Sequence, residues 1–104
     1  MREDKVMTIT KNAENGVVTL NLAGRLDTTT APELEAAIDG CIRGASELTL
    51  DLAELDYISS AGLRVLLKAQ KIMNTQGTMR VIHVGEPIME IFEITGFVDI
   101  LTVE

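Results

Sequence analysis

Cysteine is almost missing from this sequence. Cys41 stands alone, so no internal disulfide can form, and with His83 the single histidine no Cys/His set of metal-ligand spacing can be assembled. Basic residues are scarce too: nine Lys and Arg face sixteen Asp and Glu, and the net charge of −7 repels a nucleic-acid backbone and an anionic membrane surface alike. No apolar run approaches the ~20 residues of a membrane span, and the opening MREDKVMTIT carries charges but no apolar signal-peptide segment. The phosphate-cradling patterns G-x-x-x-x-G-K-[ST] and G-x-G-x-x-G are absent, and no pair of acids has a distinctive catalytic spacing. These absences predict a cytoplasmic protein with no metal, no cofactor, no direct nucleic-acid contact and no membrane insertion. A protein partner with a basic surface remains compatible with the charge. Nothing in the sequence bears on oligomeric state.

What is present is enough for a core. The 104 residues are 46% apolar, which predicts one domain over 1–104. VMTIT (6–10) and GVVTLNLAG (16–24) alternate in strand fashion around KNAENG, whose Asn15-Gly16 is a strong turn dipeptide, so the chain opens with a β-hairpin. Thr30 and Glu33 then have capping-box spacing with Pro32 in the first turn. Leu34, Ala37, Ile38, Cys41 and Ile42 follow at helical intervals, predicting an amphipathic helix that ends at Gly44 and carries Cys41 as a buried structural thiol.

ELTLDLAELDYI (47–58) begins in strand alternation, and SSAGLRVLLKAQKIMNTQG (59–77) switches to a period of 3.6. Arg64, Lys68 and Lys71 share one face of this second helix, and Gly77 is its expected stop. TMRVIHVG (78–85) reads as a further strand, PIMEIFEITG as a third helix closed by Gly96, and FVDILTV (97–103) as a short strand or docked tail. The order ββαβαβα plus tail predicts an α/β domain: a mixed, mostly parallel sheet of four or five strands with three or four helices. Functional residues in such sheets gather at the carboxyl ends of strands. Two segments fall there, the Ser59-Ser60 joint and the GRLD block that closes on Asp27.

Two adjacent serines at a strand-to-helix joint have two physical readings. One serine can cap the helix, a contribution of about 1 kcal/mol. The same unpaired N–H groups and the positive end of the helix dipole also accommodate a phosphate, so a phosphoserine there would leave the fold intact while adding charge near Asp56 and Asp27. A hydrolytic reading fits less well. The elbow G-x-S-x-G requires glycine at position 58, where Ile58 stands, and only His83 could act as an imidazole base.

GVVTLNLAGRLDTTTAPELEAAI, LTLDLAELDYISSAGLRVLLKAQKIM and TGFVDILTV occur in an order that resembles the STAS domain, the sulfate-transporter and anti-sigma-factor-antagonist family, over nearly the whole chain. At this size the resemblance is to the free-standing bacterial anti-sigma factor antagonists. It implies partner switching: the unphosphorylated protein binds an anti-sigma factor that is also an ATP-dependent serine kinase, phosphorylation breaks that complex, and a serine phosphatase restores the binding form. The implied phosphorylation site is Ser60, with Ser59 as the alternative, and Ser59 occupies a position where the family usually has aspartate. Asp27 matches a family aspartate that helps bind the kinase. The implied partner surface is Asp27, Ser59, Ser60, Gly62 and Arg64, with Lys68 at its border and Gly62 small so that a partner or the second strand can approach the helix start. A constitutive adaptor, its serines serving only as caps, is the alternative role, and any nucleotide would meet only a generic anion site at the helix start.

Overall fold

The computed structural model describes residues 7–104. Strand β1 (Met7–Glu14) turns back through Asn15 and Gly16 into β2 (Val17–Leu26), and both turn residues take positive φ, 54° and 82°. That pair of angles is what a two-residue hairpin loop requires, and it closes the antiparallel register at Glu14 against Val17. The hairpin expected from Asn15-Gly16 therefore forms. Its first strand runs on to Glu14 because β2 offers partners along that whole length, while Val6 lies outside the described residues.

From β2 the chain passes through helix α1 (Ala31–Asp39), strand β3 (Glu47–Ile58), helix α2 (Ser60–Met73), strand β4 (Thr78–Ile82) and helix α3 (Glu86–Thr95). The sheet order is β1-β2-β3-β4, with β2, β3 and β4 parallel. After a 3₁₀ turn at Phe97–Asp99, the tail makes a parallel bridge between Val103 and Val81, so the fifth strand is a single bridge beside β4. The α/β architecture expected from the changes of period is the one observed.

One face of the sheet carries the core. Leu20, Leu22, Leu48, Leu50, Met79 and Val81 are buried, and they form one cluster with Leu34 and Ile38 of α1, Leu66 and Met73 of α2, and Ile88 and Phe92 of α3. The opposite face is polar: Arg80 approaches the Thr49 hydroxyl and, at 3.7 Å, Glu104, while His83 Nδ1 lies 3.0 Å from Asp51 Oδ1. A sheet with one covered face needs this alternation, and only the covered face reads as an apolar row.

Three boundaries differ from expectation. Helix α1 ends at Asp39 rather than Gly44, and its last carbonyls are taken up by the N–H groups of Gly40, Cys41 and Ile42 in successive turns. Cys41 consequently sits beyond the helix, half-buried against the core, with its thiol pKa raised by burial. Helix α2 stops at Met73. Gly77 lies past it, where a Cβ would come within 2.1 Å of the Ser46 carbonyl oxygen. Strand β4 stops at Ile82 because His83 takes φ 58° and turns the chain.

Phe92 is fully buried in the common core, so Phe92→Ala is expected to cost about 3–5 kcal/mol of unfolding free energy. Urea titration followed by circular dichroism measures it; a loss below about 1 kcal/mol would mean that α3 is not part of the cooperative core.

Candidate functional site

The carboxyl ends of β2 and β3 are locked together. The Ser59 N–H donates to the Leu26 carbonyl at 2.9 Å, so the chain leaves β3 for α2 beside the point where it leaves β2 for the Asp27 loop. Gly62 makes this approach possible: a Cβ there would meet Leu26 Cγ at 2.6 Å and Ile58 Cγ1 at 3.0 Å. Gly62 is buried, and of the two approaches expected to need its small size the fold shows that of the second strand, through Leu26.

The two serines differ in their hydrogen bonding. Ser59 is the N-cap of α2, extended at φ −100° and ψ 175°, and its Oγ accepts from the Gly62 N–H at 3.3 Å while its carbonyl accepts from Leu63. Ser60 is the first helical residue and is exposed. Among the described residues its hydroxyl has no protein partner within hydrogen-bond distance. The first turn of α2 contains no acidic side chain, so the positive end of its dipole has no carboxylate of its own to face.

Asp27 organises the neighbouring loop. Its Oδ1 accepts from the Thr29 N–H at 3.0 Å, the Thr29 hydroxyl at 2.8 Å and the Thr30 N–H at 3.1 Å. The Thr30 hydroxyl accepts from the Asp27 N–H and donates to the Arg25 carbonyl, both at 2.8 Å. This arrangement replaces the expected capping box: Thr30 has αR geometry and makes no side-chain cap bond, because its hydroxyl is engaged by the Asp27 N–H and the Arg25 carbonyl, while the first N–H groups of α1, from Ala31 and Glu33, go to the backbone carbonyls of Asp27 and Thr30. The Thr29 hydroxyl, followed by the backbone donors, holds the Asp27 pKa below the ordinary aspartate value. Among the described residues its second oxygen, Oδ2, faces Arg25 Nε at 3.7 Å and accepts no hydrogen bond.

Between α1 and α2 runs a groove of about 340 Å³ lined by Thr28, Pro32 and Glu35 on one side and Ala61, Arg64 and Lys68 on the other. Thr28 follows Asp27 and Ala61 follows Ser60, so the groove opens at the joint. Exposed Arg64 lies one helical turn beyond Ser60. Lys68 Nζ bonds Glu35 Oε2 at 2.6 Å, which ties the helices together and raises the lysine pKa. Of the expected residues, Asp27, Ser59, Ser60 and Arg64 therefore surround one end of the molecule, and Gly62 lies beneath it.

Two neighbours escaped the sequence reading. Arg25 stacks on the Tyr57 ring, 4.2 Å from guanidinium carbon to ring centroid, and the pair borders Asp27. Their contact depends on the parallel register that pairs Arg25 with Tyr57. Two bulges in β3 set that register: Asp51 to Glu54 spans the step from Asn21 to Ala23, and Leu55 to Tyr57 the step from Gly24 to Arg25. A tyrosine immediately before the joint was the only local signal. His83 is bound to Asp51, which lies seven residues before Ile58 on β3, about 20 Å of strand away from the serines.

A model of the STAS domain matches residues 8–104. This chain belongs to the STAS domain family. BtrV of Bordetella bronchiseptica, assigned as an anti-sigma factor antagonist, is 37% identical over 99 residues, 93% of this chain and 85% of that protein. A crystal structure of an anti-sigma factor antagonist from Mycobacterium paratuberculosis superposes with a TM-score of 0.88 at 22% identity, covering 99% of this chain and 89% of the other. The Bacillus cell fate determinant SpoIIAA in its phosphorylated form shares the STAS fold, with a TM-score of 0.73 at 16% identity and 93% and 91% coverage.

Two outcomes are expected at this STAS site. Gly62→Ala should destabilise by about 1–2 kcal/mol in denaturant titration, overpacking against Leu26 outweighing the better helix propensity of alanine. Because the folded-state pKa of Asp27 is depressed, the loop is at full strength above the ordinary aspartate pKa and weakens only as pH falls through the lowered value. A carbon-detected NMR titration should place the Asp27 midpoint below that of an unperturbed aspartate, and a midpoint at or above it would contradict the loop geometry.

Proposed function

We propose that this STAS domain is an anti-sigma factor antagonist acting in the cytoplasm by partner switching. It is a binding module and not an enzyme. In the unphosphorylated form, the Asp27 loop, the exposed start of α2 and the Arg64 side of the groove dock on an anti-sigma factor that is itself an ATP-dependent serine kinase. Docking frees the sigma factor. Transfer of phosphate to Ser60 releases the kinase, and a serine phosphatase resets the switch.

The observation that carries this reading is the division of roles between the serines. Ser59 caps α2 through the Gly62 N–H, whereas the exposed Ser60 hydroxyl serves no bond within the described fold. Serine and aspartate are equally good N-caps, so Ser59 fills the structural role of the usual family aspartate without its charge. A phosphate on Ser60 adds about −1.5 to −2 charge at a helix start that tolerates it, so the fold stays intact. The same charge lands at the end of the molecule that carries Asp27, and a surface that had docked there meets added negative charge. Switching thus requires no rearrangement of the sheet.

Calorimetric titration against the cognate anti-sigma kinase tests the proposal. Ser60→Asp should weaken binding at least about tenfold and Ser60→Ala should bind like wild type. Ser59→Ala should lose about 1 kcal/mol of stability with affinity retained. Unchanged affinity in Ser60→Asp would instead establish a constitutive adaptor.

A further inference from the structure

The far end of α3 leaves apolar surface in water. Ile88 and Phe92 point into the core, but Ile94 is 84% exposed. Past the left-handed Gly96, Val98 and Ile100 are 37% and 46% exposed before Leu101 returns to the interior. Three exposed branched aliphatic side chains fall within seven residues around the Gly96 turn, a cluster along the chain that the fold does not bury. The tail then runs parallel to β4 at Val103, so α3 has run back along the sheet, and the cluster lies at the amino ends of the strands. Ser60 and Asp27 occupy the opposite end.

The charge carried by this stretch of chain has one sign, and Glu104 at its end lies 3.7 Å from Arg80. From Val81 to Glu104 the chain contains Glu86, Glu90, Glu93, Asp99 and Glu104 and no lysine or arginine. Glu90 precedes Ile94 by one helical turn on the same side, Glu93 adjoins it, and exposed Asp99 sits between Val98 and Ile100. An apolar centre inside a charged rim has the anatomy of a protein interface. A second copy would set these acids against their own kind, and an anionic bilayer would be repelled. We propose that this face is a second docking surface, independent of the serine switch, for a basic amphipathic segment of another protein: a helix with leucine- or isoleucine-like side chains flanked by lysine or arginine. Both surfaces can be occupied at once, which would tether the protein to a partner whether or not Ser60 is phosphorylated.

The test uses nitrogen-15-labelled full chain and a synthetic lysine–leucine amphipathic helical peptide, with a peptide of equal composition but scrambled order as control. Amide shifts are expected to cluster at Ile94, Val98 and Ile100. Affinity should fall at least about tenfold in Ile94→Ser and in the double variant Glu90→Gln/Glu93→Gln, and should weaken with salt. The exposure of Ile94 keeps Ile94→Ser folded, and Ser60→Asp should bind the peptide like wild type, which separates this proposal from the switch. Equal binding of the scrambled peptide, shifts mapping elsewhere, or an indifferent Ile94→Ser would overturn it. So would sedimentation of the free chain as a dimer that Ile94→Ser dissociates, or binding to phosphatidylserine vesicles.

Discussion

The close approach of Leu26 to Gly62 is the constraint on which the rest of the site depends. Without a Cβ at Gly62, the start of α2 settles on the end of β2, and the Ser59 N–H reaches the Leu26 carbonyl. That one bond places two chain exits side by side: the loop that Asp27 stiffens and the helix start that Ser59 caps. Neither segment is a site alone. A serine at a helix start is ordinary, and an aspartate in a turn is ordinary, but held together they form a rigid acidic edge around an exposed hydroxyl.

Economy of hydrogen bonding explains why this edge suits a switch. Asp27 commits one oxygen to its loop, and among the described residues the other accepts no hydrogen bond; Ser59 commits its hydroxyl to the backbone while its neighbour remains exposed. The groups that shape the surface are thus distinct from those that present it. Charge can be added at Ser60 without removing a bond the fold needs, and the change is confined to what a docking protein encounters. The apolar cluster on α3 lies at the other end of the sheet, so charge placed at the switch falls well beyond a Debye length from it.

Much of this was legible in the chain, for physical reasons that differ by element. Asn15-Gly16 announces a hairpin because few other dipeptides accept two positive φ angles, and the three helices declare themselves through period, with Gly96 alone of the three expected glycine stops closing its helix. The serine joint shows as a change of period between residues 58 and 60. What stayed hidden depends on partners distant in sequence. Thr30 and Glu33 have the spacing of a capping box, yet the Thr30 hydroxyl turns upstream to the Asp27 N–H and the Arg25 carbonyl, and the Glu33 N–H bonds the Thr30 carbonyl instead. The Arg25–Tyr57 stack needs a register that two bulges shift, and a bulge leaves almost no local signature. Gly62 could be singled out as necessarily small, but only the fold shows that the neighbour it admits is Leu26.

The central claim is that Ser60 carries the switch and Ser59 the cap. Incubation of the full chain with ATP and its cognate anti-sigma kinase, followed by intact-mass spectrometry and site mapping, tests it most directly. A single added phosphate on Ser60, with Ser59 unmodified, is the predicted result. Phosphate on Ser59, or no phosphate from a kinase that modifies another substrate in the same reaction, would contradict the account.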